Sequence, residues 1–249
     1  MALKDSLFKR ARQKTLEWLL PSVHEAMRRR HYAKGWASGR LESDQVPWHL
    51  PEGTIPQSVR AAVESGWFKP NGKALDIGCG SGQIAAYLAS AGFDVLAVDF
   101  AAPAIELANT KYPARERLRF QVLDVCSGSL TRDSFDVLID RGCYHGLPAA
   151  FRKSFVHALA DCSRSGAHFL MMHKVSSESN LTGPEKIDLS ETLVEALRRA
   201  FAPLFSIEST LPIYFNPYGD EFKPENSLTG LTLRMIRRER SNSAPRPYW

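Results

Sequence analysis

Cysteine is scarce in this 249-residue chain: four in all, at 79, 126, 143 and 162, with no C-x-x-C pair among them. That spacing gives no support to a zinc site or a disulfide framework, so no metal is expected and reduced cytoplasmic thiols are the simplest expectation. No apolar run reaches 18 residues, which removes a transmembrane helix, and the features of a cleavable signal peptide are missing. Internal repeats and base-reading or RNA-stacking signatures are also lacking, so no nucleic-acid partner is expected. The net charge of +5 is unevenly placed. Residues 1–40 carry ten Lys/Arg against three acids, and the remaining 209 residues are close to neutral. Hydrophobic content of 44% is enough for a full core.

What is there begins at Ala74-Leu-Asp-Ile-Gly-Cys-Gly-Ser-Gly82. A short apolar run breaks into glycines at 78, 80 and 82, and Gln83 to Gly92 reads as a helix. Strand, glycine turn and helix N-terminus together make an edge where a ligand can lie against bare backbone. The dinucleotide fingerprint G-x-G-x-x-G needs a third glycine where Gln83 stands. The pattern is instead G-x-G-x-G preceded by Asp76. It resembles the first motif of class I S-adenosylmethionine (SAM) methyltransferases.

The next strand ends follow in order. Phe93 to Asp99 reads as a second strand closing in a carboxylate, 21 residues past Gly78. That is the distance at which an acid accepts ribose hydroxyls; a plain helix N-cap is the other use of Asp99. Leu118 to Leu123 reads as a third strand, followed by Asp124 and Val125. The resemblance implies that Asp124 faces the adenine amino group and Val125 stacks beside it, with Phe100 joining the cofactor set. Ser134 to Asp140 reads as a fourth strand, and its sequel is Arg141-Gly-Cys-Tyr-His-Gly-Leu-Pro148.

That sequel is similar to the thiopurine methyltransferase-like group, which includes thiol, halide and tellurite methyltransferases. Tyr32-x-x-x-Trp36-x-x-Gly39 is similar to the same group's N-terminal Trp-x-x-x-Trp-x-x-Gly, with Tyr32 in place of the first Trp. The implied fold is α/β: a Rossmann-like seven-stranded sheet with its last strand antiparallel, helices on both faces, and an N-terminal helical lid. Expected boundaries are 1–50 for the lid, 51–240 for the methyltransferase domain and 241–249 for a flexible tail. Strands are expected at 73–77, 94–98, 118–123, 135–139, 167–172, 207–214 and 228–237. In the lid, Ser6 to Leu20 reads as a basic amphipathic helix interrupted by Pro21 and Ser22, with Val23 to Tyr32 as a second helix. Closing over the ligand is the first reading of this segment, and weak membrane-surface contact the second. Oligomeric state is not legible.

The implied chemistry is methyl transfer to a small-molecule acceptor, with S-methylation of a thiol or another soft nucleophile first. O- or N-methylation of a natural-product intermediate is the alternative, and a non-catalytic SAM-binding protein is the alternative from another class. Gly78, Gly80, Gly82 and Asp76 hold the methionine end, Asp140 supports it, and Trp36 covers the cofactor. Arg141 bonds or stacks on the cofactor or an anionic acceptor. His145 is the base candidate, with a backbone-bonding histidine as the competing reading. Tyr144 and Trp48 are expected at the acceptor. His173 and Lys174 close the fifth strand within reach of the pocket, with a solvated strand end as the first expectation and a place at the pocket as the other.

Overall fold

The computed structural model describes residues 21–37, 50, 52–113, 115–127, 130–174, 184–213 and 230–239. The basic helix expected at 6–20, Trp48 and the tail from 241 therefore lie outside the described residues.

The sheet is assembled around the glycine-turn strand. β1 (Lys73–Ile77) pairs in parallel with β2 (Asp94–Asp99) on one side and with β4 (Phe135–Arg141) on the other. β3 (Leu118–Val122) extends the first side, and β5 (Ser163–Lys174) extends the second, again in parallel. β7 (Gly230–Arg237) runs antiparallel between β5 and β6 (Phe205–Ile213). The order is β3-β2-β1-β4-β5-β7-β6. This is the seven-stranded Rossmann-like sheet with its antiparallel last strand that the motifs imply. Successive strands are added outward in one direction from β1 to β3 and in the other from β4 onward, so the strand order reverses between the parallel neighbours β1 and β4. Such a switch point leaves a crevice at the strand C-termini, where ligands of open α/β sheets bind.

The central strands are near-continuous runs of Val, Leu, Ile and Ala because both faces are covered. On one face Leu75, Leu138, Phe169 and Met235 meet α5 (Ala149–Cys162) and α6 (Pro184–Phe201), around the wholly buried rings of Phe155, Phe201 and Phe205. On the other, Ala74, Val95, Val137 and Leu170 meet α2 (Gln57–Glu64) and α3 (Gln83–Ser90) through Val59, Ala62, Ile84 and Leu88. α4 (Ala102–Lys111) links β2 to β3 and lies against α1 (Pro21–Ala37).

α1 begins at Pro21, two residues before the expected Val23, and runs past the expected end at Tyr32. Proline at the first helical position lacks only an N–H that has no partner there anyway, so it starts a helix as well as it ends one. The helix runs on to Ala37 and carries Trp36 into a small cluster with Ala101 and Ala104. β5 is longer than expected. It begins at Ser163 directly after α5, before the apolar run starts at Ala167.

Candidate active site

The three glycines of the β1–α3 turn each back onto a different element. A Cβ on Gly80, whose φ is +53°, would lie 2.7 Å from the Trp36 ring of α1. One on Gly82, with φ +80°, would lie 2.6 Å from Phe120 of β3 and 3.1 Å from Ala108 of α4. One on Gly78 would meet Cys143 of the β4 sequel at 3.3 Å. Side chains at the second and third positions are therefore excluded by neighbours as well as by backbone conformation.

Around this turn stand three buried carboxylates. Asp99 accepts hydrogen bonds from the backbone N–H of Gly80 at 3.1 Å and of Ala101 at 2.9 Å, tying the glycine turn to the start of α4. Burial raises its pKa, and those two N–H donors and Arg28 oppose the rise. Asp99 is not the helix N-cap, which is Ala101 with no side-chain cap; it ties the turn to the residue before α4 and keeps lone pairs for further donors. Asp140, wholly buried, accepts the N–H of Cys143 at 2.6 Å and of Tyr144 at 2.9 Å, which folds the β4 sequel back over the strand. Desolvation pushes it up to about 7 against those bonds. Asp76 is also pushed up to about 7, by burial first, opposed by the Ala85 N–H and reinforced by the charges of Asp140 and Asp99. Its Oδ2 is buried with no hydrogen-bond partner. An orphaned carboxylate oxygen among three acids calls for a cation.

α1 closes one side of the crevice. Arg29 forms an ion pair with Asp124 Oδ2. Glu25, itself buried, bonds Arg28 at 2.6 Å and Arg29 at 2.9 Å. The guanidinium carbons of Arg28 and Arg29 lie 4.9 and 5.2 Å from the centre of the Phe100 ring. Tyr32 meets the same ring edge-on, and its hydroxyl oxygen lies 3.1 Å from where a Cβ on Gly146 would stand. Asp124 also caps a short 3-10 turn, Val125–Ser127, by accepting the Cys126 N–H at 2.9 Å. Val125 is buried beneath it.

On the far side of the β4 sequel lies a pair of imidazoles. His145, in the 3-10 turn Tyr144–Gly146, packs on Gly142, where a Cβ would stand 3.0 Å from its Cε1. Its Nδ1 accepts the backbone N–H of Lys174 at 3.2 Å. Burial lowers its pKa to about 3, helped by His173, Lys174, Arg141 and Arg152. The ring is therefore neutral, and with Nδ1 used as an acceptor its proton sits on Nε2. His173, from the end of β5, lies 5.5 Å away, ring centre to ring centre. It is not the solvated strand end expected from sequence: it is buried, with a pKa lowered to about 4 by burial and then by Arg152. Tyr144 is drawn into the core against Phe155 and Phe201, 6.0 Å from His173, with Arg152 over its ring. Arg141, half-buried, ends β4 near Asp76 and His145, lowering the pKa of both.

The structure thus gathers Trp36, Asp76, Gly78, Gly80, Gly82, Asp99, Phe100, Asp124, Val125, Asp140, Arg141, Tyr144 and His145 along one end of the sheet. Sequence reading missed Arg28 and Arg29, and it preferred a solvated strand end for His173 over a place at the pocket. The arginines have no local signal, since Arg29 and Asp124 are 95 residues apart. No metal-binding group of His, Cys, Asp and Glu exists among the described residues, and no described helix is long and apolar enough to cross a membrane.

Residues 74–167 match a methyltransferase domain family. Over 183 residues the chain is 26% identical to the 2-heptyl-1-hydroxyquinolin-4(1H)-one methyltransferase of Mycobacteroides abscessus, covering 71% of this chain and 76% of that one. A solved structure from the conversion of a disulfide bond into a thioacetal group during echinomycin biosynthesis superposes with a TM-score of 0.61 at 25% identity. It covers 83% of this chain and 92% of its own. The 1,6-didemethyltoxoflavin-N1-methyltransferase of Burkholderia thailandensis, bound to its substrate and S-adenosylhomocysteine, gives 0.60 at 20% identity, over 88% and 91%.

The residues present fit SAM. Asp76 Oδ2 is a buried carboxylate oxygen in want of a cation, and the methionine end of SAM carries an ammonium beside its sulfonium. When bound, SAM supplies a methyl group already activated for in-line transfer. Gly78, Gly80 and Asp76 would hold its amino-acid end, Asp99 its ribose, and Phe100, Asp124 and Val125 its adenine.

Proposed function

We propose that this SAM-dependent methyltransferase of class I fold acts on a small acceptor whose nucleophilic atom is itself acidic, with S-methylation of a thiol as the first reading. One observation carries this: beside the β4 sequel the described residues offer no strong base, because buried, neutral His145 has its Nδ1 lone pair on the Lys174 N–H and the Asp140 carboxylate is committed to backbone N–H groups. An aliphatic hydroxyl would need a strong base or a metal. A thiol, with a pKa near about 8.5, is partly ionised at neutral pH and needs only alignment and the removal of water. The Asp140–Pro148 sequence supports the thiopurine/thiol methyltransferase-like reading, and the neighbour from echinomycin biosynthesis also works on sulfur.

A second reading rests on the relatives. The Mycobacteroides enzyme is named for an N-hydroxyquinolone and the Burkholderia enzyme for N1 of a toxoflavin precursor. Such heteroaromatic O–H and N–H groups meet the same requirement for an acidic acceptor.

The test is transfer of label from methyl-labelled SAM to a matched panel of aromatic and aliphatic thiols, 1-hydroxyquinolin-4-ones, phenols, aliphatic alcohols and amines, with Asp99→Ala as control. Label on thiols supports the first reading and label on N-hydroxyquinolones the second. Label on aliphatic alcohols alone, or tight SAM binding with transfer to nothing, overturns both.

A further inference from the structure

α1 keeps different company on its two sides. Arg28, Arg29, Tyr32 and Trp36 turn inward, to Phe100, Asp124 and the glycine turn. Val23, Met27, Arg30 and Lys34 are all exposed. They recur at intervals of four, three and four residues, which places them on one stripe of the opposite side. Ala26 and Ala37 flank that stripe and are exposed too. The helix has one acid, Glu25, and it is buried, so the outer stripe carries no carboxylate.

The stripe is half apolar and half cationic. Val23 is 47% exposed and Met27 68%, and they are two of the four large apolar side chains left in solvent among the described residues. Arg30 and Lys34 follow on the next turns. The twenty residues ahead of α1 carry five Lys/Arg against two acids, so the positive charge continues along the chain. An occupant must therefore take apolar side chains and cations together, on a convex surface. The boundary of an anionic bilayer does so: apolar side chains enter between the headgroups while Arg and Lys reach the phosphates. A free phosphate would leave Val23 and Met27 in water. A nucleic acid would leave them there as well, and the stripe has no Phe, Tyr or Trp on which a base could stack.

We propose that the outer stripe of α1 docks the protein on an anionic lipid surface. Val23 and Met27 supply the apolar contact, and Arg30 and Lys34 the attraction to headgroups. The inner side of the same helix walls the cofactor crevice through Arg29 and Trp36, so the docked protein holds that wall towards the membrane. Docking does not depend on which acceptor is methylated.

Flotation of the full chain with vesicles tests this, using phosphatidylcholine alone and phosphatidylcholine mixed with phosphatidylglycerol. The chain should float with the mixed vesicles and much less with the neutral ones. Each Lys or Arg at an anionic surface is worth about a factor of five, so Arg30→Gln with Lys34→Gln should weaken binding about 25-fold. Val23→Ser with Met27→Ser should weaken it by about tenfold or more. Raising the salt should weaken the wild type more than the Arg30→Gln, Lys34→Gln chain. Equal binding to both kinds of vesicle, binding to neither, or binding that neither pair of substitutions weakens overturns the proposal. Retention of a single-stranded oligonucleotide in place of vesicles assigns the face to nucleic acid. Self-association lost on Val23→Ser with Met27→Ser assigns it to a second copy of the chain. Either result also overturns the lipid reading. SAM affinity should be unchanged in both variants, which shows that they are folded. Hydrogen exchange on the wild type decides without any variant: mixed vesicles should slow exchange in α1 and leave α5 as it was. No slowing in α1 refutes docking.

Discussion

Replacing Arg29 with alanine should tighten the binding of SAM. Arg29 is seated on the two groups that the adenine requires: its guanidinium pairs with Asp124 Oδ2 and lies over the Phe100 ring. An adenine amino group that reaches Asp124 must displace it. The pair is about one-third exposed on both sides, 38% and 31%, so solvent screens it and its contribution is at most about 1 kcal/mol. Stacking on the ring adds about 0.5–1 kcal/mol at such exposure. Removing both obstacles should lower Kd by roughly 2- to 30-fold, at about 1.4 kcal/mol per tenfold. Trp36 still packs on Ala101 and Ala104 and Arg28 still lies over Phe100, so α1 should stay seated. Titration calorimetry measures this directly. Salt supplies an independent check: raising the ionic strength from 0.05 to 0.5 M should weaken the wild-type ion pair and bring its Kd towards that of Arg29→Ala. Weaker SAM binding in the variant would refute the argument and make Arg29 a cofactor ligand.

Asp99→Ala should weaken SAM binding by about tenfold or more, since it removes acceptors for the ribose and unties Gly80 from α4; calorimetry at pH 7.5 checks it. SAM binding near pH 6.5 should release protons, because Asp76 is raised to about 7 in the free protein and a bound cation favours its ionised form. Calorimetry in buffers of different ionisation enthalpy detects the release, and Asp76→Asn should diminish it; buffer-independent heats would contradict the assignment. The same raised carboxylates set a stability trend. Asp76 and Asp140 hold protons in the folded state that the unfolded chain has lost, so stability without SAM should fall as pH rises from about 4 through about 7. Thermal melts across that window should show Tm falling, with a shallower slope in Asp76→Asn. Gly80→Ala should impair SAM binding through the clash at 2.7 Å with Trp36, and Trp36→Ala in the same chain should restore part of it.

The sheet was legible because its signals are local. Apolar runs at 73–77, 94–98 and 135–139 are long enough to be buried on both faces, and the glycine turn and strand-end acids fall at fixed distances along the chain. The expected helix start at Val23 is two residues late because proline suits a first helical turn as well as an interruption. The start of β5 was missed because Ser163 to Gly166 has no apolar pattern; that stretch follows α5 without a loop. The site was only half legible for a related reason. Gly78, Asp99 and Asp140 are specified by their neighbours in sequence. Arg29 and His173 acquire their surroundings from elements far along the chain: α1 folding onto Phe100 and Asp124, and the Tyr144–Gly146 turn folding over β5.

The glycine turn bears on how such motifs are inherited. Gly78, Gly80 and Gly82 are each hemmed in by a different part of the fold: Cys143, Trp36, and Phe120 with Ala108. Substituting any of them disturbs packing before it disturbs a ligand. A descendant that had abandoned methyl transfer would therefore keep Gly80 and Gly82 for as long as it kept Trp36 and Phe120. The spelling G-x-G-x-G is in this respect a record of architecture, and evidence that the chemistry survives has to be sought in residues that the scaffold could spare.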